Sequence, residues 1–130
     1  MSALVIDTSS WISWLAGGGS PAVAEALDEG RAYLSPIVAA ELLSGKLSPR
    51  RRVQLEDLLA DLPLCGQALD HWMRVGRLRA GLLAQGLQVS TPDAHVAQCA
   101  LDLSAELLTE DAVFRRLAKH AALQLHADSV

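Results

Sequence analysis

Short apolar runs alternate along the chain with segments whose apolar residues recur at helical spacing. Residues 3–6 (Ala-Leu-Val-Ile) are uninterruptedly apolar, which is typical of a strand buried on both faces. Four further short runs, at 31–34, 63–65, 107–109 and 123–126, predict more strands. Strands that alternate with helices favour a parallel sheet covered by helices on both faces. The pattern therefore predicts an α/β fold with a mostly parallel sheet of about four to five short strands.

Hydroxyl residues followed by proline mark the predicted starts of four helices. Ser20, Ser35, Ser48 and Thr91 each precede a proline, and this pair is typical of an N-cap and the first helical residue. The predicted helices cover 10–16, 21–28, 36–44, 49–61, 67–85, 92–103 and 111–120. Because no linker or internal repeat separates these elements, the sequence predicts a single domain over residues 1–130.

Composition narrows the class of protein. Hydrophobic residues make up 51% of the 130 residues and charged residues 20%, which is typical of a globular domain with its own core. Two cysteines cannot build a disulfide framework, and this favours a cytoplasmic protein. The N-terminus lacks the basic segment of a signal peptide, and no apolar stretch reaches the length of about 18 residues that a membrane span needs.

Four acids lie in apolar surroundings where a charge is costly. Asp7 ends the first apolar run, Glu41 lies within an apolar helix, Asp93 opens a predicted helix, and Asp111 follows the fourth strand. No Lys or Arg lies within four residues of the first three. Asp93 and Asp111 could instead be ordinary first-turn acids, with Arg115 as a partner for Asp111. Taken together, the four predict a shared metal site, and oxygen-only ligation favours Mg²⁺ or Mn²⁺.

The histidines and cysteines do not show a metal-binding pattern. His71, His95, His120 and His126 have no ligand-like spacing with one another or with either cysteine, so the sequence argues against a zinc site. No serine has the sequence context of a catalytic nucleophile.

Net charge is −4, which by itself disfavours nucleic-acid binding. Basic residues nevertheless cluster at 46–52, 74–79 and 115–119. Each cluster is typical of a solvated helix face. If bound cations neutralised the acids, the same bases could attract a polyanion towards the site.

Several segments resemble the PIN domain. They are Val-Ile-Asp-Thr-Ser at 5–9, Ser-Pro-Ile-Val-Ala-Ala-Glu-Leu at 35–42, Gly-Leu-Gln-Val-Ser-Thr-Pro-Asp-Ala-His-Val-Ala at 86–97 and Leu-Leu-Thr-Glu-Asp-Ala-Val-Phe at 107–114. Their order and spacing cover nearly the whole chain, whose size is similar to that of the VapC toxins of toxin–antitoxin pairs. Two positions depart from the family pattern: Val113 stands where many relatives have a further acid, and Thr-Pro precedes Asp93.

The resemblance implies a three-layer α/β/α fold and a ribonuclease that depends on one or two Mg²⁺ or Mn²⁺ ions. It implies that Asp7, Glu41, Asp93 and Asp111 are the catalytic acids and metal ligands, and that Thr8 and Ser9 position water or phosphate. It further implies a cognate antitoxin, for which Trp11 and Trp14 offer an apolar face, and a homodimer.

Two alternatives remain open from the sequence. The chain could be an inactive PIN-like module that binds a protein partner, in which case mutation of the four acids would leave partner binding intact. It could also transfer a phosphoryl group through Asp7, although the following Thr-Ser-Ser lacks the second acid that such enzymes carry.

Overall fold

A computed structural model describes residues 2–130 and contains a four-stranded, entirely parallel sheet. The strands are β1 (Leu4–Ile6), β2 (Ala32–Tyr33), β3 (Glu106–Leu108) and β4 (Gln124–Leu125), in the order β2-β1-β3-β4. The helices are α1 (Thr8–Leu15), α2 (Ala22–Asp28), α3 (Pro36–Leu43), α4 (Pro49–Ala60), α5 (Leu69–Ala84), α6 (Thr91–Leu103) and α7 (Val113–Leu117). The predicted α/β fold with a parallel sheet is confirmed.

Strand β1 lies at the centre of the sheet. Its residues pair with β2 on one side and with β3 on the other, and all three are at most 2% exposed. Helix α6 packs against both β1 and β3. A strand with no exposed face must be covered by helices on both sides, and its uninterrupted apolar sequence reflects this position.

The predicted strand at 63–65 is wrong. The backbone there forms a single parallel bridge between Leu34 and Leu64, with hydrogen bonds from Leu34 N to Pro63 O and from Cys65 N to Leu34 O. Proline cannot donate a backbone hydrogen bond, and Gly66 turns the chain away at a φ of +73°. The pairing therefore cannot extend into a strand.

The helix starts follow the predicted caps with two corrections. Ser35 accepts from the backbone N–H groups of Ile37 and Val38, and Ser48 accepts from Arg51. The cap of α6 is Ser90, whose hydroxyl accepts from Asp93 N, whereas Thr91 is already helical. Before α2, Ser20 accepts from Ala22 N, but the helix begins after Pro21 rather than with it.

The remaining helices are confirmed, and some are shorter than predicted. Helix α5 begins at Leu69 rather than at 67, and α7 is a five-residue helix inside the predicted range 111–120. Between residues 2 and 130, no helix has both the length and the apolar composition that a membrane crossing requires.

Candidate active site

The carboxyl ends of β1 and β3 lie side by side at the point where the order of strands in the sheet changes direction. From β1 the chain first adds β2 on one side and later adds β3 on the other. Ligands of open parallel sheets bind in the crevice at such a switch point. Asp7 directly follows β1, and the segment from Thr109 to Asp111 directly follows β3. The sheet order therefore brings together two acids that are about a hundred residues apart in the sequence.

Asp7 is the buried centre of the site. It is 7% exposed. Its backbone N–H donates to Leu108 O at 2.9 Å, and this bond holds Asp7 at the carboxyl end of β1, beside β3. Its Oδ2 accepts hydrogen bonds from the hydroxyls of Ser9 and Thr109, both at 2.9 Å. Burial raises the pKa of the Asp7 carboxyl, the two hydroxyl bonds lower it in part, and the charge of Asp111 raises it again.

The two hydroxyl groups also hold the loop after β3 against the start of α1. Thr109 Oγ1 accepts from the backbone N–H of Asp111 at 3.0 Å, and Ser9 Oγ accepts from that of Glu110 at 3.0 Å. The C-terminal segment holds the loop from the other side, because Val130 N donates to Thr109 O at 3.0 Å. The donors on Asp7 are therefore themselves held in place.

Asp111 lies exposed at the end of this loop. Its Oδ1 accepts from Val113 N at 3.0 Å, so the side chain begins the turn into α7. The alternative pairing with Arg115 is not formed, and Arg115 donates to the backbone carbonyl of Ser129. The carboxylate of Asp111 thus has no basic partner within the part of the chain that the structure describes.

Glu41 is exposed, which corrects the expectation that its apolar surroundings bury it. Helix α3 buries Val38 and Leu42 and turns Glu41 outwards, since the residue lies on another face of the helix. Its Oε1 accepts from Thr8 Oγ1 at 2.8 Å. This bond connects α3 to the first residue of α1, directly beside Asp7.

Asp93 completes the group from the first turn of α6. It is partly buried, and burial raises the pKa of its carboxyl. The negative charges of Asp111, Asp7 and Glu41 raise that pKa further. Because such repulsion weakens with distance, the other three predicted acids lie close enough to Asp93 to act on its charge.

The donor set is compatible with a hard divalent cation. All four side chains offer carboxylate oxygen, the ligand that Mg²⁺ and Mn²⁺ prefer. Their ligand atoms do not lie within 4.8 Å of one another as a group among residues 2–130. Glu41 and Asp111 are exposed, and exposed side chains change rotamer at little cost, so the open spacing leaves room for an ion.

Sequence reasoning missed one member of the site and one buried cluster. Thr109 is 0% exposed and contacts Asp7, and the only signal for it is a hydroxyl residue at the end of an apolar strand. The second omission is His71, His95 and Cys99, whose ligand atoms lie within 4.8 Å of one another. Their spacing in the sequence does not reveal this proximity, which arises because α5 and α6 pack side by side.

Comparisons with known proteins agree with this architecture. A family model described as the PIN domain matches residues 4–120. The chain is 30% identical over 128 residues to a VapC ribonuclease of Mycobacterium bovis and to ribonuclease VapC11 of Mycobacterium tuberculosis, with 93% of this chain and 96% of each relative covered. In a DNA-bound VapBC structure from Salmonella typhimurium, one chain matches with a TM-score of 0.77 at 21% identity, over 97% of this chain and 98% of that chain. The structural likeness shows a shared fold.

Proposed function

The chain belongs to the PIN domain family, and from this premise we propose that it is a ribonuclease that depends on Mg²⁺ or Mn²⁺ and acts as the toxin of a toxin–antitoxin pair. One observation carries the proposal. Four carboxylates converge on the switch point of the sheet, and none of them forms a salt bridge among residues 2–130. The two mycobacterial relatives, which are named as ribonucleases, support the same activity.

The mechanism assigns a task to each side chain. Asp7, Asp93 and Asp111 would hold one or two ions, and Glu41 would hold an ion or accept a proton from the attacking water. When bound, the ions supply charge stabilisation at the scissile phosphate. Ser9 and Thr109 keep the Asp7 carboxylate in one orientation through hydrogen bonds to Oδ2. Thr8 holds Glu41 in the same way.

Purified protein incubated with RNA tests this assignment. Removal of a side chain that only supports a metal ligand typically lowers affinity or activity by about 10–100-fold. Asp7 is proposed as a ligand itself, so we expect Asp7→Asn to lower the cleavage rate in Mg²⁺ or Mn²⁺ by at least about 100-fold. Glu110→Gln is the matched control, because Glu110 is an exposed acid in the same loop. Cleavage by Asp7→Asn at the rate of the parent would refute the assignment.

The proposed substrate is structured RNA. Sequence-specific RNA recognition usually targets exposed loops, and transfer RNA and ribosomal RNA loops are therefore the first probes to use. Some basic side chains already form hydrogen bonds within the protein: Arg52 donates to Leu43 O, and Arg79 donates to Val89 O. Arg50 and Arg51 lie at the start of α4 and form no side-chain hydrogen bond with residues 2–130, so they are the better candidates for contact with phosphate.

We also propose a small antitoxin protein as partner. The expected apolar face needs correction, because Trp11 is 0% exposed and packs edge-on against Trp14 with ring centroids 5.8 Å apart. Trp14 instead borders a groove of about 350 Å³ between α1 and α4, lined mostly by apolar side chains and also by Arg51 and Gln54. Trp14→Glu should prevent co-purification with the product of an adjacent antitoxin gene, while RNA cleavage is retained.

A homodimer in the cytoplasm completes the proposal. Leu69, Met73 and Leu83 of α5 are 73%, 45% and 62% exposed and lie on one side of that helix. Such a stripe favours a twofold contact. Light scattering should give a dimer mass for the parent and a monomer mass for Met73→Glu.

A further inference from the structure

A chain of hydrogen bonds runs from Asp102, at the surface, through two buried histidines to the buried Ser35. Asp102 Oδ2 is 2.7 Å from His71 Nδ1, and His71 Nε2 is 2.7 Å from His95 Nδ1. His95 Nε2 is in turn 2.6 Å from Ser35 Oγ. Both histidines are at most 2% exposed. The chain of bonds thus joins four side chains from three separate segments of the sequence.

The ionised state of Asp102 fixes the direction of the first bond. Burial raises the pKa of this carboxyl, but hydrogen bonds from Arg74, Gln98 and His71 outweigh it and bring the pKa to about 2. An ionised carboxylate only accepts, so His71 Nδ1 donates to it. When His71 carries a proton on Nδ1 alone, its Nε2 accepts from His95 Nδ1, and His95 Nε2 accepts from the Ser35 hydroxyl. Each ring nitrogen of both histidines thus has a hydrogen-bond partner within 2.7 Å.

The chain connects the helices that carry two of the four acids. Asp102 and His95 belong to α6, His71 belongs to α5, and Ser35 is the N-cap of α3. Asp93 precedes His95 by two residues on α6, and Glu41 follows Ser35 by six residues on α3. We propose that His71 and His95 are positioning residues that fix the start of α6 against the start of α3, and thereby fix Asp93 relative to Glu41.

The surroundings leave the two rings a single arrangement. Arg74 holds Asp102 from outside with two bonds of 2.8 and 3.0 Å. The Trp72 ring stacks on His95 with centroids 4.4 Å apart and an interplanar angle of 3°. Gly66 also lies against this ring, because a Cβ there would be 2.4 Å from His95 Cε1. This close packing restricts the rings, and the hydrogen bonds then link α5, α6 and the start of α3.

The inference rests on the proposed function, and Mn²⁺ binding in the absence of RNA tests it separately. His71→Leu keeps a similar volume but breaks the chain between Asp102 and His95. We expect it to weaken Mn²⁺ binding, measured by electron paramagnetic resonance, about tenfold and to lower kcat with KM for RNA unchanged. Cys99→Ala is the matched control, because it opens a cavity in the same cluster without removing a bond of the chain. It should bind Mn²⁺ as the parent does.

Asp102→Asn is the second variant, to be used if His71→Leu does not fold. Its amide oxygen can still accept from His71, and Asp102 is more exposed than His71. It should weaken Mn²⁺ binding by less than His71→Leu. Parent-like Mn²⁺ binding in every folded chain variant would overturn the inference. One equivalent of Zn²⁺ in the purified parent that is lost in Cys99→Ala would also overturn it, since the ring nitrogens would then be ligands. Weakened Mn²⁺ binding alongside a parent that cleaves no RNA would support the positioning role and refute the ribonuclease.

Discussion

At the scale of single residues, Asp7 is a buried acid that forms no salt bridge among residues 2–130. The side chains that donate to it are the hydroxyl groups of Ser9 and Thr109, which orient the carboxylate without neutralising it. A buried charge of this kind lowers stability unless a ligand compensates for it. We therefore expect Asp7 to bind an ion and to lower the stability of the protein when no metal is bound.

The stability of Asp7→Asn in EDTA tests this expectation. The pKa of Asp7 is raised in the folded protein above its ordinary value of 3.8, so ionisation costs more in the folded than in the unfolded state. The parent therefore loses stability relative to the variant as pH rises from 3.8 through the folded pKa. We predict that Asp7→Asn melts about 1–4 °C above the parent at pH 7, and that this gain disappears near pH 4. A variant that melts well below the parent at pH 7 would contradict this account.

Thr109 gives a second prediction at this scale. Thr109→Val removes the donor to Asp7 and the acceptor for Asp111 N while it keeps the shape of the side chain. We expect a loss of about 1–3 kcal/mol in the free energy of unfolding and of about 10–100-fold in RNA cleavage. Thr109→Ser retains the hydroxyl and should cleave RNA within a few-fold of the parent. Parent-like cleavage by Thr109→Val would contradict this role of the hydroxyl group.

Individual site residues were predictable only in part. The apolar run before Asp7 predicted its burial correctly. The apolar surroundings of Glu41 wrongly predicted burial of its side chain. A short helix can present one polar residue to solvent while its neighbours are buried. Thr109 and the paired histidines could not be found, since their roles depend on contacts between residues that are far apart in the sequence.

At the scale of secondary-structure elements, the contact between α5 and α6 depends on the turn that precedes α5. Gly66 has a φ of +73°, and its Cα lies against His95, Cys99 and His71. A side chain there meets both a backbone penalty and a steric one. Gly86, at the end of α5, has a similar φ of +86° but no neighbour within 4 Å.

The two glycines therefore form a matched pair. Gly86→Ala should cost about 1–2 kcal/mol in the free energy of unfolding, from the left-handed backbone alone. Gly66→Ala should cost about 1–3 kcal/mol more, because a Cβ would displace the His95 ring. Urea denaturation of both variants measures the difference. Equal destabilisation would show that the cluster adapts easily and does not fix the helices.

Elements were predicted well where a local signal exists. The Ser-Pro pairs predicted the starts of α3 and α4 correctly, because a cap depends only on its own first turn. The strand at 63–65 failed because its length is set by pairing with Leu34, which the local sequence does not record. The α6 start was displaced by one residue since Ser90 and Thr91 are both suitable caps.

At the scale of the whole molecule, the order β2-β1-β3-β4 is what turns four scattered acids into one site. The alternation of strands and helices predicted a parallel sheet, but it does not specify which strands are neighbours. The convergence of Asp7 and Asp111 could therefore be expected only from the position of both acids at the carboxyl ends of strands.

Metal binding should stabilise the whole fold, since the ion would relieve the repulsion among the acids. At a Mn²⁺ concentration 100-fold above the dissociation constant, we expect a gain of about 2.7 kcal/mol, measured as an increase in melting temperature at neutral pH. The double variant Asp7→Asn with Asp93→Asn should show no increase. The same increase in both proteins would place the bound ion elsewhere.

The most direct test of the account is induced expression of this chain beside its Asp7→Asn variant in bacteria, with growth and total RNA followed together. We predict growth arrest and discrete RNA fragments with the parent, and normal growth with intact RNA for the variant at equal amounts of folded protein. Normal growth and intact RNA with both proteins would contradict the ribonuclease and favour a protein-binding module. Identical arrest and fragments with both would show that cleavage does not depend on Asp7.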